Sequence, residues 1–360
     1  MQVAGEYGTD LVPPAAAATG PSPPVPPPRV PPPRAGHLPL AVTVPLWVVV
    51  IALLVVAAAR VVIWDTFQPF AVLNDGTAFL YLPAWIAAVV AGIGRHWLLA
   101  AAALVVVAAQ VIFMVPELTA AEPLPTWASG APTLRLLDAN VYEHNPSMDG
   151  YVRQIDALDP QLVTLEEATP DDVVQLDASG ALALLPYRVE ISRYDPWAFL
   201  VASHYPISDE HVVYVYRRPL IVQLAVDLPS GPIELWVVHT VAPLPSSFSQ
   251  WKGQLDVLDQ AVRSRGTAGL LMVGDFNGTW GSRGFRRLLD DGLTDGAAAR
   301  GNPFAMTWSQ EMAPLPPLVR IDHVLTGSGL AVSTISTGAG VGSDHRDLVA
   351  TVAVDRRHGQ

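Results

Sequence analysis

The sequence predicts a layered α/β sandwich that follows three helices long and apolar enough to cross a membrane. Two observations support this prediction. Before residue 117 the chain carries three apolar segments with almost no polar face, as membrane-spanning helices do. From residue 133 to residue 355 short apolar runs alternate with polar turns, and a few helix-like stretches separate them. That alternation is typical of strands packed in layers with helices.

The composition narrows the classes of function. The 360-residue chain has a net charge of −12, with 21 basic residues of which only Lys252 is a lysine. It therefore lacks the basic surface of a dedicated DNA-binding protein. A nuclease is still allowed, because a bound divalent metal supplies local positive charge. The chain has no cysteine, which excludes disulfides, thiolate zinc sites and cysteine nucleophiles.

The N-terminal third contains a tail and a predicted membrane anchor. Residues 1–37 are rich in Pro and Ala and predict a disordered tail. The anchor, residues 38–116, contains predicted spans at about 38–64, 76–94 and 96–116. About 18–20 apolar residues cross a bilayer, so the second span is short and needs its flanks. The first is too long, and begins too far into the chain, for a cleavable signal peptide.

Basic residues in the short loops predict the orientation of the anchor. Arg29 and Arg34 precede the first span, and Arg95 lies between the second and the third. The loop between the first two spans carries Asp65 and Asp75 instead. We therefore expect a multi-pass protein of the cell membrane with a cytoplasmic N-terminus and an extracytoplasmic domain after residue 117. The lipid bilayer is its expected partner, and no protein partner is indicated.

A linker, residues 117–132, leads into the predicted sandwich of residues 133–355. Two stretches, Met148–Leu158 and Phe248–Ser264, are helix-like. The apolar runs predict strands at Leu134–Leu137, Leu162–Leu165, Ala198–Ala202, His211–Tyr216, Leu220–Leu228, Ile233–Val238, Gly269–Val273, Ile321–Leu325 and Leu348–Val354.

Polar side chains with metal-binding or acid–base chemistry stand at the ends of six of these elements. They are Asn140, Glu166–Glu167, His239, Asp275 with Asn277, Asp322–His323 and Asp344–His345. Singly, each has an ordinary explanation as a turn residue, a solvated carboxylate, a helix cap or a core histidine. Together, hard oxygen ligands and imidazoles at the edge of a sheet indicate a hydrolase assisted by Mg²⁺, Mn²⁺ or Ca²⁺.

These motifs resemble the endonuclease/exonuclease/phosphatase superfamily, whose fold is deoxyribonuclease I-like. The resemblance implies a four-layer sandwich of two packed mixed β-sheets flanked by helices, here after three transmembrane helices. Bacterial members with N-terminal membrane helices exist, and this chain looks like one of them. The resemblance rests on Asn140, Pro160–Glu167, His239–Pro243, Gly274–Asn277, Arg320–His323 and Ser343–His345.

The resemblance also implies a metal site and a cofactor. Glu167 should be the principal ligand of Mg²⁺ (or Mn²⁺), helped by Asn140 and Asp344. Glu167 is chosen over Glu166 because the family's glutamate follows a polar residue, usually glutamine, and Glu166 takes that place here.

Catalytic roles follow from the same resemblance. His345 should be the general base or contact the phosphate, with Asp322 fixing its tautomer. Asp275 should orient or deprotonate the attacking water, Asn277 should hold a phosphate oxygen, and His239 should contact the phosphate or protonate the leaving group. An imidazole can exchange protons near neutral pH, and donors aimed at phosphoryl oxygens favour the more charged transition state.

Three features depart from the family pattern or add to it. Glu166 replaces the usual glutamine and adds a negative charge beside the metal. His204 replaces the arginine of a Ser-Arg-x-Pro-Ile segment, within Val201–Ile207. Arg217 and Arg218 precede the predicted strand at Leu220; they could meet an anionic substrate or simply form a solvated strand end.

The sequence thus favours a membrane-tethered, divalent-metal-dependent phosphoesterase of phosphodiesterase or endonuclease type. Its substrate could be nucleic acid, a phospholipid head group or a small phosphate ester. The alternatives are a phospholipid or small-ester phosphatase of the same fold, and a non-catalytic binding module. A transporter or sensor is disfavoured because the spans carry no ionisable residue beyond Arg60.

Overall fold

The computed structural model describes residues 38–192, 197–310 and 315–356. The predicted disordered tail, residues 1–37, lies outside the described residues. The N-terminal helical segment, which we define as residues 38–118, and the sandwich that follows it belong to one compact unit.

The helical segment contains two long helices and a bent element between them. Two helices are long and apolar enough to cross a membrane, and the bent element adds a third span if its parts are counted as one. The helices are α1 (Leu40–Val62), α2 (Gln68–Asp75), α3 (Thr77–Leu80), α4 (Leu82–Ile93) and α5 (Trp97–Leu118). The axis of the bent element turns by 76° between Asp75 and Thr77, at the beginning of the predicted second span, which covers α3 and α4.

The sandwich is built from two six-stranded sheets with helices on their outer faces. The strands are β1 (Thr133–Asn140), β2 (Leu162–Glu166), β3 (Tyr187–Ile191), β4 (Phe199–Ser203), β5 (Ile207–Val215), β6 (Arg218–Leu228), β7 (Gly231–His239), β8 (Leu270–Asp275), β9 (Thr294–Asp295), β10 (Asp322–Thr326), β11 (Leu330–Thr337) and β12 (Leu348–Val354). The helices are α6 (Asp149–Leu158), α7 (Pro170–Ser179), α8 (Phe248–Arg265), α9 (Arg283–Asp290) and α10 (Gly296–Ala299).

Each sheet contains one parallel pair of strands near its centre. The first sheet runs β11-β12-β1-β2-β4-β3, and the second runs β5-β6-β7-β8-β10-β9. In the first, β1 and β2 are parallel, with α6 as the crossover. In the second, β7 and β8 are parallel, with α8 as the crossover. The predicted arrangement of two mixed sheets flanked by helices is confirmed.

The main core lies between the two sheets, where alternate residues of each strand face inward. Leu134 and Leu136 of β1 meet Leu235 and Val237 of β7 in this layer. Two further apolar clusters pack α6 and α7 on the first sheet and α8 and α9 on the second. At one end of the sandwich the inward-facing rows change from apolar to polar, and these rows end at Asn140, Glu166, His239, Asp275 and Asp322.

The structure adds elements that the sequence pattern did not indicate. Strands β3, β9 and β11 were not predicted, and neither were helices α7, α9 and α10. Strand β9 has only two residues, too few for a periodic signal. Strand β11 has its inward face broken by a bulge between Val332 and Thr334, which shifts the alternation on which strand prediction depends.

The helical segment is docked on the sandwich by specific hydrogen bonds. Trp64 Nε1 donates to the carbonyl of Gly281 at 2.8 Å, and Gln68 Nε2 donates to the carbonyl of Pro243 at 3.1 Å. Thr279 Oγ1 donates to Asp75 Oδ1 at 2.7 Å. The side chain of Ala71 in α2 joins the apolar cluster beneath α8 and α9.

A buried ion pair connects the end of α5 to the strand that carries Asp322. Arg320 is only 4% exposed and donates through Nη2 to Glu117 Oε1 at 2.6 Å. Its Nη1 donates to Asp295 Oδ2 at 2.5 Å. A buried guanidinium needs such acceptors, because an unpaired buried charge is costly.

Replacement of Glu117 by Ala should therefore lower the free energy of unfolding of the full chain by about 1–3 kcal/mol, because Arg320 loses one of its two carboxylate acceptors. The measurement is denaturant unfolding in detergent micelles. The matched control is Glu122→Ala, which removes an equal charge from an exposed side chain of the same connection. Equal destabilisation by the two changes would contradict a specific role for the Glu117–Arg320 pair.

Candidate active site

The register of the parallel pairs brings the polar strand ends together. Asn140 lies opposite Glu166 in the first sheet, and His239 lies opposite Asp275 in the second. Asp322, at the start of the antiparallel strand β10, also lies opposite Asp275. Because both parallel pairs end at the same end of the sandwich, the side chains of the two sheets meet across the inner layer.

His345 and Asp322 form a buried pair. Nδ1 of His345 lies 2.9 Å from Asp322 Oδ2 and 3.1 Å from Oδ1. The loop before β12 is fixed by Ser343, whose hydroxyl donates to the carbonyl of Asn140 at 2.7 Å and accepts from the backbone N–H of His345 at 3.0 Å. Asp322 thus holds Nδ1 and leaves Nε2 directed toward Asp275, whose Oδ2 is 3.8 Å away.

Glu167 faces the cleft because the backbone turns directly after β2. Its φ is +57°, a left-handed conformation that ends the strand and is uncommon for a residue with a side chain. Its Oε1 accepts from Asn140 Nδ2 at 2.9 Å and its Oε2 accepts from the backbone N–H of Glu143 at 3.0 Å. Burial nevertheless raises the pKa of Glu167, so these donors do not fully offset its desolvation.

Asn277 organises the carboxylate of Asp275. Its backbone N–H donates to Asp275 Oδ1 at 2.7 Å, and its Nδ2 donates to Asp275 Oδ2 at 3.0 Å and to the carbonyl of Thr240 at 2.9 Å. Both N–H donors of the Asn277 side chain are therefore used within the protein. In this arrangement Asn277 positions Asp275, and a hydrogen bond to a phosphate oxygen would require one donor to be released.

The two histidines of the site differ in charge state at neutral pH. Burial and the nearby charge of His345 lower the pKa of His239 to about 3, so His239 is neutral at pH 7. Burial alone would lower the pKa of His345 as well, but the carboxylates of Asp322, Asp275 and Asp344 outweigh it and raise the pKa to about 10. One imidazolium and one neutral imidazole in one site are suited to separate acid and base roles.

A second pair of acids lies beneath the site. Asp138 and Glu166 are buried, and no described donor lies within hydrogen-bonding distance of either oxygen of Glu166. Burial is the main cause of the raised pKa of Asp138, about 8, and of the raised pKa of Glu166, to which the charge of Asp138 adds. The pair therefore retains a proton at neutral pH. Glu166 lies under the site, whereas Glu167 faces the cleft.

The donor set fits a divalent cation. Ligand atoms of Asp275, Asp322 and His345 all lie within 4.8 Å of one another, and the Asn140–Glu167 pair adjoins them through the hydrogen bond from Asn140 Nδ2 to Asp275 Oδ2, 3.3 Å. Burial and the charge of Asp322 raise the pKa of Asp275 well above its usual range. A bound cation stabilises the ionised form of clustered carboxylates whose pKa values are raised. Hard oxygen ligands suit Mg²⁺ or Mn²⁺.

The eight predicted site residues form one connected cluster. His239 Nε2 lies 3.5 Å from Glu167 Oε1 and 3.8 Å from Asp275 Oδ2. Asp344 Oδ1 lies 3.9 Å from His345 Nε2. The contacts described above link Asn140, Glu167, His239, Asp275, Asn277, Asp322, Asp344 and His345 to one another.

Two tryptophans, Trp197 and Trp308, contact the site and were not predicted from the sequence. The ring of Trp197 packs on the imidazole of His239 with centroids 4.6 Å apart. The guanidinium of Arg218 also lies over the Trp197 ring, 4.8 Å from its centroid. Trp308 Nε1 donates to Asp344 Oδ2 at 3.0 Å. Trp197 directly precedes the predicted strand at Ala198, and the antiparallel direction of that strand beside β2 would have placed it at this end.

His204 lies away from the site. It follows β4, which runs antiparallel to β2, so it belongs to the opposite end of the sandwich. Its Nδ1 lies 3.1 Å from the carbonyl of Leu184. His204, which replaces the family's arginine, therefore makes no contact with the described site residues.

Comparison with known sequences assigns the chain to a family. Residues 139–345, more than half of the chain, match the Endonuclease/Exonuclease/phosphatase family, and the chain belongs to it. Enzymes of this family are phosphoester hydrolases that depend on a divalent metal, and this chain is therefore classed among phosphoester hydrolases. Comparison with curated proteins gave no match.

Solved structures support the same fold. Truncated TDP2 from Caenorhabditis elegans is 16% identical, with a TM-score of 0.52 over 62% of this chain and 98% of that one. TDP2 from D. rerio, solved with a single-strand DNA product, is 15% identical, with a TM-score of 0.51 over 62% of this chain and 99% of that one. At these identities the similarity establishes the deoxyribonuclease I-like fold.

The opposite shifts of the two histidines give a pH prediction. In the metal-free full chain, His345 should stay protonated through pH 7 and lose its proton near pH 10, whereas His239 should gain one only near pH 3. Side-chain ¹⁵N NMR measures both transitions. Asp322→Asn should lower the pKa of His345 by removing the nearest carboxylate. Titration of both rings near 6.5 would refute the predicted charge states.

Proposed function

We propose that the chain is a membrane-tethered phosphoesterase that depends on Mg²⁺ or Mn²⁺ and acts by phosphodiesterase- or endonuclease-type hydrolysis. The observation that carries the proposal is that the Asp322–His345 pair lies in the same cluster as Asn140 and Glu167, where the inner faces of the two sheets meet. Asn140, Glu167, Asp344 and His345 come from the strands and connections of the first sheet, and His239, Asp275 and Asp322 come from the second. The Asp322–His345 pair therefore joins the two sheets at this end of the sandwich.

Asn140, Glu167 and Asp344 would hold the metal. When bound, the cation would neutralise the non-bridging oxygens of the phosphate and stabilise the leaving oxygen. Ligand atoms of Asp275, Asp322 and His345 lie within 4.8 Å of one another, and Asn140 Nδ2 lies 3.3 Å from Asp275 Oδ2. This negative charge beside Asn140 supports the proposed cation site.

The protein's own groups account for the proton transfers. Asp275, held by Asn277, is placed to orient the attacking water and accept its proton. His345 exchanges protons through Nε2, because Asp322 occupies Nδ1. His239, which packs on Trp197, would contact the phosphate; its pKa of about 3 leaves it neutral at pH 7, without a proton to pass to the leaving oxygen.

The helical segment supports the tether. Helices α1 and α5 are long and apolar enough to cross a membrane, and the distribution of arginines favours a cytoplasmic N-terminus with the sandwich outside. The alternatives are a phospholipid or small-ester phosphatase with the same site and a non-catalytic module. The presence of every predicted site residue in one cluster disfavours the module.

Metal dependence is testable on the full chain in detergent. We expect hydrolysis of bis-p-nitrophenyl phosphate with Mg²⁺ or Mn²⁺ and its loss in EDTA. His345→Ala should lower kcat by about 10²- to 10⁴-fold, because it removes the proton-transferring imidazole. His204→Ala, which removes a histidine at the opposite end of the sandwich, is the matched control and should leave kcat unchanged. Equal rates with and without EDTA would exclude the metal-dependent mechanism.

The topology has a separate test. A reporter that is active only in the cytoplasm should be silent when fused after Gln360 and active when fused before Met1, because the positive-inside rule leaves the sandwich outside. Activity of the C-terminal fusion would reverse the proposed orientation while leaving the proposed chemistry intact.

A further inference from the structure

The helical segment contacts the sandwich through the loops that carry the site. Among the described residues, five hydrogen bonds join the two, and they fall on Pro243, Thr279, Gly281, Arg283 and Arg320. Each of these residues lies in a connection at the end of the sandwich where the site residues meet. The catalytic end therefore faces the helices.

The spacing along the chain limits the distance between the docking residues and the site. Pro243 is four residues from His239, and Gly281 is four residues from Asn277. Four residues span at most about 14 Å. Their partners, Gln68 and Trp64, follow closely on the end of α1 at Val62, where the chain leaves the predicted bilayer core.

Trp64 and Gln68 lie two and six residues beyond the end of α1, close to the interface region of the predicted bilayer. The head groups occupy about 5–8 Å on each side of the hydrocarbon core, and a tryptophan such as Trp64 is typical of that zone. The catalytic groups thus lie at the end of the sandwich from which phosphates anchored in the same membrane would approach.

Apolar side chains project into solvent around the site and the docking loops. Phe67 is 58% exposed and Leu244 is 57% exposed; they neighbour Gln68 and Pro243, which are joined by a hydrogen bond. Phe304 is 53% exposed and Trp308 37%, and Trp308 contacts Asp344 of the site. Exposed apolar side chains grouped at one end of a domain mark an interaction surface, and next to spanning helices the membrane interface is the surface available to them.

We propose that the substrate is a phosphate ester in the head group of a lipid that shares the bilayer with the helices. Phe67, Leu244, Phe304 and Trp308 enter the interface and bring the site down to the head groups. Water attacks phosphorus, the phosphorus–oxygen bond to the alcohol breaks, and the alcohol oxygen receives a proton. The inference rests on the proposed phosphoesterase activity and on α1 and α5 crossing the membrane.

The charge of the chain supports a lipid over a long polyanion in solution. At a net charge of −12 the protein repels nucleic acid at long range. A lipid head group needs no such approach, because it diffuses within the same surface, and confinement to that surface raises its effective concentration.

The test uses the full chain in phosphatidylcholine vesicles with Mg²⁺. The lipid substrate, phosphatidic acid or phosphatidylglycerol, is supplied in three forms: in the vesicles that carry the protein, in separate protein-free vesicles, and as a water-soluble dibutyryl analogue. Single-stranded DNA is tested as a fourth substrate. We expect the lipid in the same vesicles to be hydrolysed on the order of 10²-fold faster than the soluble analogue, with little hydrolysis in the protein-free vesicles.

We call the exposed apolar side chains Phe67, Leu244, Phe304 and Trp308 the rim. A variant of the rim separates access to the membrane from the chemical step. The double change Phe67→Ser and Leu244→Ser should slow lipid hydrolysis and leave hydrolysis of bis-p-nitrophenyl phosphate unchanged, which also shows that the variant is folded. The matched control is Leu184→Ser, which alters a side chain 67% exposed beside His204 at the opposite end, and it should change neither rate.

The possible outcomes distinguish this inference from the proposed function. Faster hydrolysis of DNA or of the soluble analogue, or a rim variant with unchanged lipid hydrolysis, would overturn the lipid substrate while the phosphoesterase activity stands. Absence of hydrolysis of every ester, bis-p-nitrophenyl phosphate included, would overturn both.

Discussion

The parallel pairing of β1 with β2 and of β7 with β8 is the constraint on which the site depends. It places the ends of four strands at one end of the sandwich, so that Asn140 and Glu166 of one sheet face His239 and Asp275 of the other. The apolar core between the sheets holds these rows at a fixed separation. Carboxylates gathered there are far from bulk water and close to one another, which raises their pKa values. The same packing that stabilises the fold therefore creates a site that a cation would stabilise.

Much of the fold could be predicted because the central strands are continuous apolar runs. The position of each polar strand end was predicted too, since Asp275 and His239 directly follow such runs. The missing elements lack that signal: β9 has two residues and β11 is bulged. Contacts between segments that are distant along the chain could not be predicted from the sequence either. Trp197 on His239 depends on the direction in which β4 pairs, and no local pattern encodes that direction.

The difference between Glu166 and Glu167 shows how backbone geometry sorts neighbouring residues. Alternation along β2 directs Glu166 inward beneath the site, and the left-handed turn at Glu167 carries its carboxylate into the cleft. The sequence analysis chose Glu167 by resemblance alone. The structure gives a physical reason to separate them, since one is a buried acid that retains its proton beside Asp138 and the other accepts two hydrogen bonds at the cleft.

The docking of α2 has a consequence for biosynthesis. Residues 38–118 leave the ribosome before the sandwich, and N-terminal elements generally fold first during synthesis. Asp65, Asp75 and Glu117 would thus be in place before their partners Arg283, Thr279 and Arg320 exist. The sandwich then completes its apolar cluster on Ala71, which belongs to the helical segment made first. The order of synthesis therefore makes the helical segment available as a surface on which the catalytic end of the sandwich can close.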